Sequence, residues 1–287
     1  MRRPCVLLLI VLASAACGRR AHDSQDAFRW EQEIPAGSTI HLRTRAGRID
    51  VVPSDGRSAR VAGSTHWVGR KDPIHFAWSQ NGNDVYVCAM WTSRGDCDEH
   101  SDGLRGSDDS WLDMFSLFKR RSTNASATLQ VSLPPGVRVD ARTQNGSIAL
   151  TGATNGVTAR TVNGSINIEK SAGPVQAEGT NGSIQVALDS LAPGDKVVLR
   201  SVNGNATAVL PAGLEGSVQL STVNGTVSTD FPINVEGDLR RNKIHGQIGN
   251  SSREVVLRTV NGNVSLLKQG EAQPAPASVA REPSQKN

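Results

Sequence analysis

The sequence predicts an all-β protein, a β-solenoid (β-helix-like) of ~20-residue coils with Asn-Gly corners. Three observations carry that prediction. One phrase, Val-x-Ala-Arg-Thr-x-Asn-Gly-Ser-Ile-x-Leu, recurs from Val139 onward. Apolar residues alternate on both sides of each Asn-Gly pair, the period-2 pattern of half-buried strands. The 287 residues include 28 glycines but only 4% aromatics, the balance of a turn-rich chain built from small β-formers. Hydrophobic residues make up 37% of the chain, enough in such regular order to bury a core and to exclude disorder over most of its length.

Residues 1–16 read as a signal peptide of the lipoprotein type: Arg2 and Arg3, an apolar run over 6–13, then Ser14, Ala15 and Ala16. The run is too short to span a bilayer, which needs ~20 residues. Cys17-Gly18 resembles a bacterial lipobox, which would make Cys17 the lipidated first residue of the mature chain. Ser14 departs from the apolar residue usual there, and ordinary cleavage after Ala16 with Cys17 incidental is the alternative. The expected address is a membrane-anchored lipoprotein of the bacterial envelope, on its periplasmic or cell-surface face. Residues 17–33 read as a linker.

An N-terminal β region follows over 34–133. It opens with a copy of the repeated phrase in Ile40, Leu42, Arg43, Thr44, Ala46-Gly47, Ile49 and Val51, with Ala in place of Asn. Cys88 and Cys97 flank good turn residues, and in an oxidising compartment they are expected to form a disulfide. An insertion over 89–123 carries Asp96, Asp98, Glu99, His100, Asp102, Asp108 and Asp109. Its spacing matches no calcium loop, so it reads as a solvated acidic loop. Trp111, Met114, Phe115 and Phe118 then fall at helical spacing, with acids before and bases after, and predict one short amphipathic helix. That helix would cap the open end of the β stack, or else touch a membrane or a partner.

The repeat array occupies 134–268, after a soft boundary at Leu133-Pro134-Pro135-Gly136. Its corners are Asn145-Gly146, Asn163-Gly164, Asn181-Gly182, Asn203-Gly204, Asn224-Gly225 and Asn261-Gly262, with His245-Gly246 filling one gap, at steps of 16 to 22 residues. Six residues before each corner stand Val139, Val157, Val175, Val197, Val218, Leu239 and Val255. Four before stand Ala141, Ala159, Ala177, Leu199, Leu220, Arg241 and Leu257. Three after stand Ile148, Ile166, Ile184, Ala206, Val227, Ile248 and Val264. Arg241 is the one clear violation. A meander of repeated β-hairpins or a sandwich, with each Asn-Gly a two-residue hairpin turn, is the alternative architecture. Near-identical wording favours stacking, because stacked coils place every copy in the same environment. Residues 269–287, rich in Pro, Ala, Gln and Ser, read as a disordered tail.

The array, with Ile34-Pro35-Ala36-Gly37-Ser38-Thr39 ahead of it and Arg258-Thr259-Val260-Asn261-Gly262-Asn263-Val264 closing it, resembles the bacterial putative adhesin family of exported β-strand repeats. The resemblance implies a β-helix-like, envelope-associated fold with no established chemistry, and nothing is carried over to the insertion.

Chemistry-bearing residues are few. The corner asparagines form Asn-x-Ser/Thr sequons, but Asn and Gly there read as suppliers of positive φ. Arg43, Arg142, Arg160, Arg200 and Arg258 stand three before their corners, opposite in parity to the core. They form a candidate anionic-ligand face, interrupted at Glu178, Ser221 and Asn242. The alternative is a solvated face whose arginine stems cover Val162, Val202, Val223 and Val260. No nucleophile elbow, phosphate loop or metal-ligand spacing appears, so no catalytic residue, metal or cofactor is expected. The formal charge of +4, or +2 without the leader arginines, argues against nucleic acid as a partner. The expected function is a non-enzymatic envelope protein, an adhesin or binding scaffold. Its partners would be the membrane through its lipid, and an envelope glycan, anionic lipid or other envelope protein. A polysaccharide-cleaving β-helix enzyme is the competing class.

Overall fold

The computed structural model describes residues 21–22, 28–67, 74–91, 97–98, 125–235 and 240–270. The leader with Cys17, the helix expected around Trp111 and the chain beyond Gly270 lie outside the described residues. All regular structure within them is strand, with no helix. The first half holds β1 (Ala21–His22), β2 (Phe28–Glu33), β3 (Thr39–Ala46), β4 (Ile49–Pro53), β5 (Ser58–Trp67), β6 (His75–Asn81), β7 (Asp84–Met90) and β8 (Ala125–Leu133). Then come β9 (Arg138–Asn145), β10 (Ile148–Thr151), β11 (Val157–Asn163), β12 (Ile166–Ala172), β13 (Val175–Asn181), β14 (Ile184–Ser190), β15 (Lys196–Asn203) and β16 (Ala206–Leu210). Last are β17 (Gly216–Asn224), β18 (Val227–Thr229), β19 (Asn234–Val235), β20 (Lys243–Ile248), β21 (Glu254–Asn261) and β22 (Val264–Lys268).

These strands form two mixed sheets. The first runs β1-β6-β7-β3-β9-β11-β13-β15-β21-β17-β20-β19, the second β18-β22-β16-β14-β12-β10-β4-β8-β5-β2. From β9 to β18 the chain alternates between them, one strand in each, and like strands of neighbouring repeats pair in parallel. Val157 stands opposite Val139 and Val175, and Asn163 opposite Asn145 and Asn181. The two strands flanking each array Asn-Gly lie in different sheets, so none of these pairs closes a hairpin.

One hydrophobic core, running from Phe28 to Leu266, fills the space between the sheets. Its volume is held by compensation along the repeats. Where Ala141, Ala159 and Ala177 line the first sheet, Ile148, Ile166 and Ile184 line the second. Where the first sheet enlarges to Leu199 and Leu257, the second shrinks to Ala206 and Val264, and all are buried. The copied phrase near the N-terminus takes the same place: β3 pairs with β9, with Ala46 opposite Asn145, and β4 pairs with β10. Next in line, β7 lies parallel to β3 and β8 parallel to β4. The chain from Trp91 to Asn124 therefore connects two strands that other repeats join by two residues. The Cys88–Cys97 disulfide closes the start of that connection.

The junctions explain the Asn-Gly wording. The asparagines lie at strand ends without positive φ; the one non-glycine described with it is Lys170. Their expected role as suppliers of positive φ is thus corrected. Five of the six instead donate a side-chain amide to the asparagine of the neighbouring repeat, in the order Asn224, Asn261, Asn203, Asn181, Asn163, with Asn145 accepting at the end, at 2.7–2.8 Å. The glycines carry the conformational demand. At Gly164 (φ 151°) a Cβ would overlap the carbonyl oxygen of Gly146, and at Gly182 (φ 147°) that of Gly164. Two residues before the asparagine, a hydroxyl serves the neighbouring glycine carbonyl, which accepts no backbone bond. Thr161 donates to Gly146 O at 2.8 Å, Thr259 to Gly204 O at 2.8 Å, and Ser201 to Gly182 O at 3.1 Å.

Two expectations about the last repeats change. His245-Gly246 is no junction: both residues lie within β20, antiparallel to β17, with Gln219 opposite His245. Gly246 is small because Asn234 O of β19 lies where its Cβ would be. Arg241 breaks no core row, since it is exposed in the turn that leads into β20. The stack also departs from sequence order. β21 inserts between β15 and β17, parallel to both, so the final repeat fills a slot within the sheet.

Gly164→Ala is expected to cost about 2–4 kcal/mol, because the clash is with backbone that cannot yield. Gly213→Ala, where a Cβ meets open space, should change stability by no more than about 0.5 kcal/mol. Urea unfolding of both variants beside the parent checks the pair.

Candidate functional site

The outer face of the first sheet gathers most of the chemistry. Parallel register sets Arg43, Arg142, Arg160, Glu178, Arg200 and Arg258 side by side, followed by Ser221, one strand spacing of ~4.8 Å apart. Opposite Ser221 stands Lys243, and Asn242 lies in the preceding turn. The row is not a bare basic stripe, because two buried carboxylates, Glu178 within it and Asp140 one row away, divide the arginines into clusters.

Asp140 centres the first cluster. Arg43, itself buried, donates from Nη2 to Asp140 Oδ2 at 2.6 Å and from Nη1 to the Asp140 carbonyl at 2.7 Å. Arg142 reaches both carboxylate oxygens at 3.2 Å, and His41 Nδ1 lies 3.0 Å from Oδ2. Burial acts to raise the Asp140 pKa, but the His41 hydrogen bond and the Arg43 and Arg142 charges outweigh it and hold the carboxyl well below its usual range. The imidazole of His41 stacks on Tyr86 at 4.3 Å with its plane 5° off parallel. Tyr86, Cys88 and Cys97 form a small apolar cluster of their own on that side, so the disulfide packs beside the charged group.

Glu178 centres the second cluster, accepting from Arg160 Nε at 3.1 Å, Arg200 Nη1 at 3.3 Å and Gln176 Nε2 at 3.0 Å. Read from sequence as a break in the row, Glu178 instead joins its two neighbours. Arg258 is exposed and donates to Gln219 at 2.8 Å. The face is thus graded: Arg43 is enclosed, Arg142 and Arg160 are half-buried, and Arg200 and Arg258 reach solvent. The valines beside them follow the same gradient, from buried Val162 through half-buried Val202 to exposed Val260 and Val223. Sequence reasoning missed Asp140 and His41, although both stand two residues before an arginine of the row, on the same face of the strand.

The second sheet carries a groove of about 670 Å³ between β2, β5, β8 and β4. Two ion pairs lie along it: Arg60 pairs with Glu31 at 2.9 Å, and Arg48, beside the groove, pairs with Asp50. Among the described residues no three His, Cys, Asp or Glu side chains converge as a metal site, and no helix is long and apolar enough to cross a membrane.

Two sheets of register-matched parallel strands, with charge clusters on one outer face, define a β-strand-repeat protein. The chain belongs to the Toastrack DUF4097 family, whose model matches residues 118–267. Among solved structures, a putative cell adhesion protein from Clostridium sporogenes is similar at 14% identity and a TM-score of 0.43, covering 85% of this chain and 100% of that one. No curated protein matches the chain.

Asp140→Asn is expected to cost about 3–5 kcal/mol at neutral pH, because it removes the buried carboxylate that Arg43 and Arg142 share. The folded pKa lies below the unfolded value of about 4. The charge contribution is therefore full above that pH and is lost as pH falls toward the folded pKa. Urea unfolding of parent and variant across an acid pH series should show the gap narrowing only below about pH 4.

Proposed function

We propose that this chain is a non-enzymatic binding scaffold of the bacterial cell envelope, tethered through lipid on Cys17. Its repeats act as the coils of a β-solenoid, and its ligand is an anionic envelope polymer or lipid surface. The observation that carries the reading is the register-locked arginine row on the outer face of the first sheet. Arg142, Arg160, Arg200 and Arg258 recur along the sheet, with Asp140 pairing to Arg142 and Glu178 to Arg160 and Arg200. A polymer lying across the strands would meet one cation after another, each contributing a modest, salt-screened increment. Arg200 and Arg258 are the contact residues, being the most exposed, while Arg43 is a positioning residue that holds Asp140.

The test is retention on immobilised heparin and on anionic vesicles at low and high salt, beside a reducing-end release assay on envelope polysaccharides. Retention should fall by about tenfold in Arg200→Ala plus Arg258→Ala, a loss equivalent to about 1.4 kcal/mol, and should fall with added salt. Salt-insensitive retention, or retention unchanged in the double variant, would remove the arginine row from the function. Polymer cleavage that disappears on replacing one carboxylate would replace the scaffold reading with the enzymatic one.

A further inference from the structure

Asn-Gly is the dipeptide most prone to deamidation, because glycine leaves its own amide nitrogen unhindered to attack the preceding side chain. Six such pairs stand in the junction ladder, all exposed or half-buried, so access to solvent does not distinguish them. Hydrogen bonding does. Gly146 N–H donates to Asn163 O at 2.8 Å, Gly164 to Asn181 O at 2.9 Å, and Gly182 to Asn203 O at 2.8 Å. Gly204 donates to Asn261 O at 2.9 Å and Gly262 to Asn224 O at 3.0 Å. A donated N–H resists deprotonation and is held in the plane of the strand pairing, away from the side-chain carbonyl. Gly225 N–H has no such acceptor among the described residues, because its strand pair is the last of the series.

We propose that Asn224 is a spontaneous modification site, and that its conversion to isoaspartate opens the ladder one step at a time from that end. Gly225 N, losing its proton to solvent base, bonds to Asn224 Cγ. The Cγ–Nδ2 bond breaks, its nitrogen takes a proton from solvent and leaves as ammonia, and a succinimide remains. Water then adds at the α-carbonyl carbon and the bond from that carbon to the Gly225 nitrogen breaks, hydroxyl staying on carbon and the proton going to nitrogen, so that an isoaspartyl linkage through Cγ results. The backbone gains one atom and the former α-carbonyl becomes a pendant carboxylate, out of line with Gly262 N–H. Gly262 is then as free as Gly225 was, and Asn261 becomes reactive in its turn. The same dependence links Asn261 to Gly204, and so on to Gly146. Asn81-Gly82, in the β6–β7 hairpin, lies off the ladder with an equally open glycine amide, and reacts independently as an internal reference. At Asn155-Gly156, also off the ladder, the side-chain amide donates to Gly136 O at 2.9 Å, as that of Asn224 donates to Asn261 at 2.7 Å, and the glycine amide has no backbone acceptor among the described residues, so this pair is a second independent reference.

The experiment is a time course of the folded protein in warm, mildly alkaline buffer, read by peptide mapping for the one-dalton gain and by isoaspartyl methyltransferase labelling. Asn224, Asn81 and Asn155 should convert first, about tenfold or more faster than any protected ladder site. Asn261 should follow only after a lag, and in urea all sites should convert together. In Asn224→Gln, which keeps the carbonyl over Gly262 but cyclises poorly, the Asn261 event should disappear. Simultaneous onset at all six ladder sites of the folded protein, or unchanged Asn261 conversion in Asn224→Gln, would overturn the proposal.

Discussion

The close approach of glycine backbone at each junction is the constraint on which the rest of the structure depends. Parallel strands a fixed ~4.8 Å apart must carry the chain from one sheet to the other at the same height in every repeat. The bend therefore sets one glycine on the carbonyl oxygen of the next, with no room for a Cβ. Once that contact is fixed, register is fixed with it: asparagine falls beside asparagine, and valine on valine in the core. A slip of one residue would turn every core side chain to solvent and every arginine inward. The hydroxyl two residues before the asparagine completes the arrangement by serving a carbonyl the backbone leaves open.

Fixed register is also what makes the outer face chemically specific. Arginines repeated at one phrase position would repel if nothing intervened. Asp140, one row away, and Glu178, within the row, offset that repulsion and bind their neighbours across strands. The enclosed end of the row adjoins the His41–Tyr86 stack and the disulfide, while the far end stays open to solvent. A single repeated sequence thus gives a graded surface because its neighbours differ at a few positions.

The two ends of the stack are finished differently. At the N-terminal side, antiparallel strands cover both sheets, β6 and β1 on one and β5 and β2 on the other. At the other side β20 and β19 cover only the first sheet, and the three residues of β18 form the edge of the second. The late insertion of β21 between β15 and β17 joins parts of the chain that are distant in sequence. It adds non-local contacts, each closing a long loop of chain.

The all-β class and the alternation of core positions were legible in the sequence, because each is a local periodicity that one strand shows by itself. Ile148, Leu199 and Val264 could be assigned to the core without knowledge of their neighbours. The Cys88–Cys97 pairing followed from compartment and spacing. Facts about pairs of strands were not local. The order β15-β21-β17, the antiparallel β20 that misread as a repeat through His245-Gly246, and the burial of Arg43 against Asp140 depend on which strands become neighbours. A phrase determines how a strand faces its core, since side-chain direction has a period of two residues. Only the folded chain decides which copy lies beside it, because near-identical copies offer near-identical edges, and the choice rests on chain connectivity and the fit of the core.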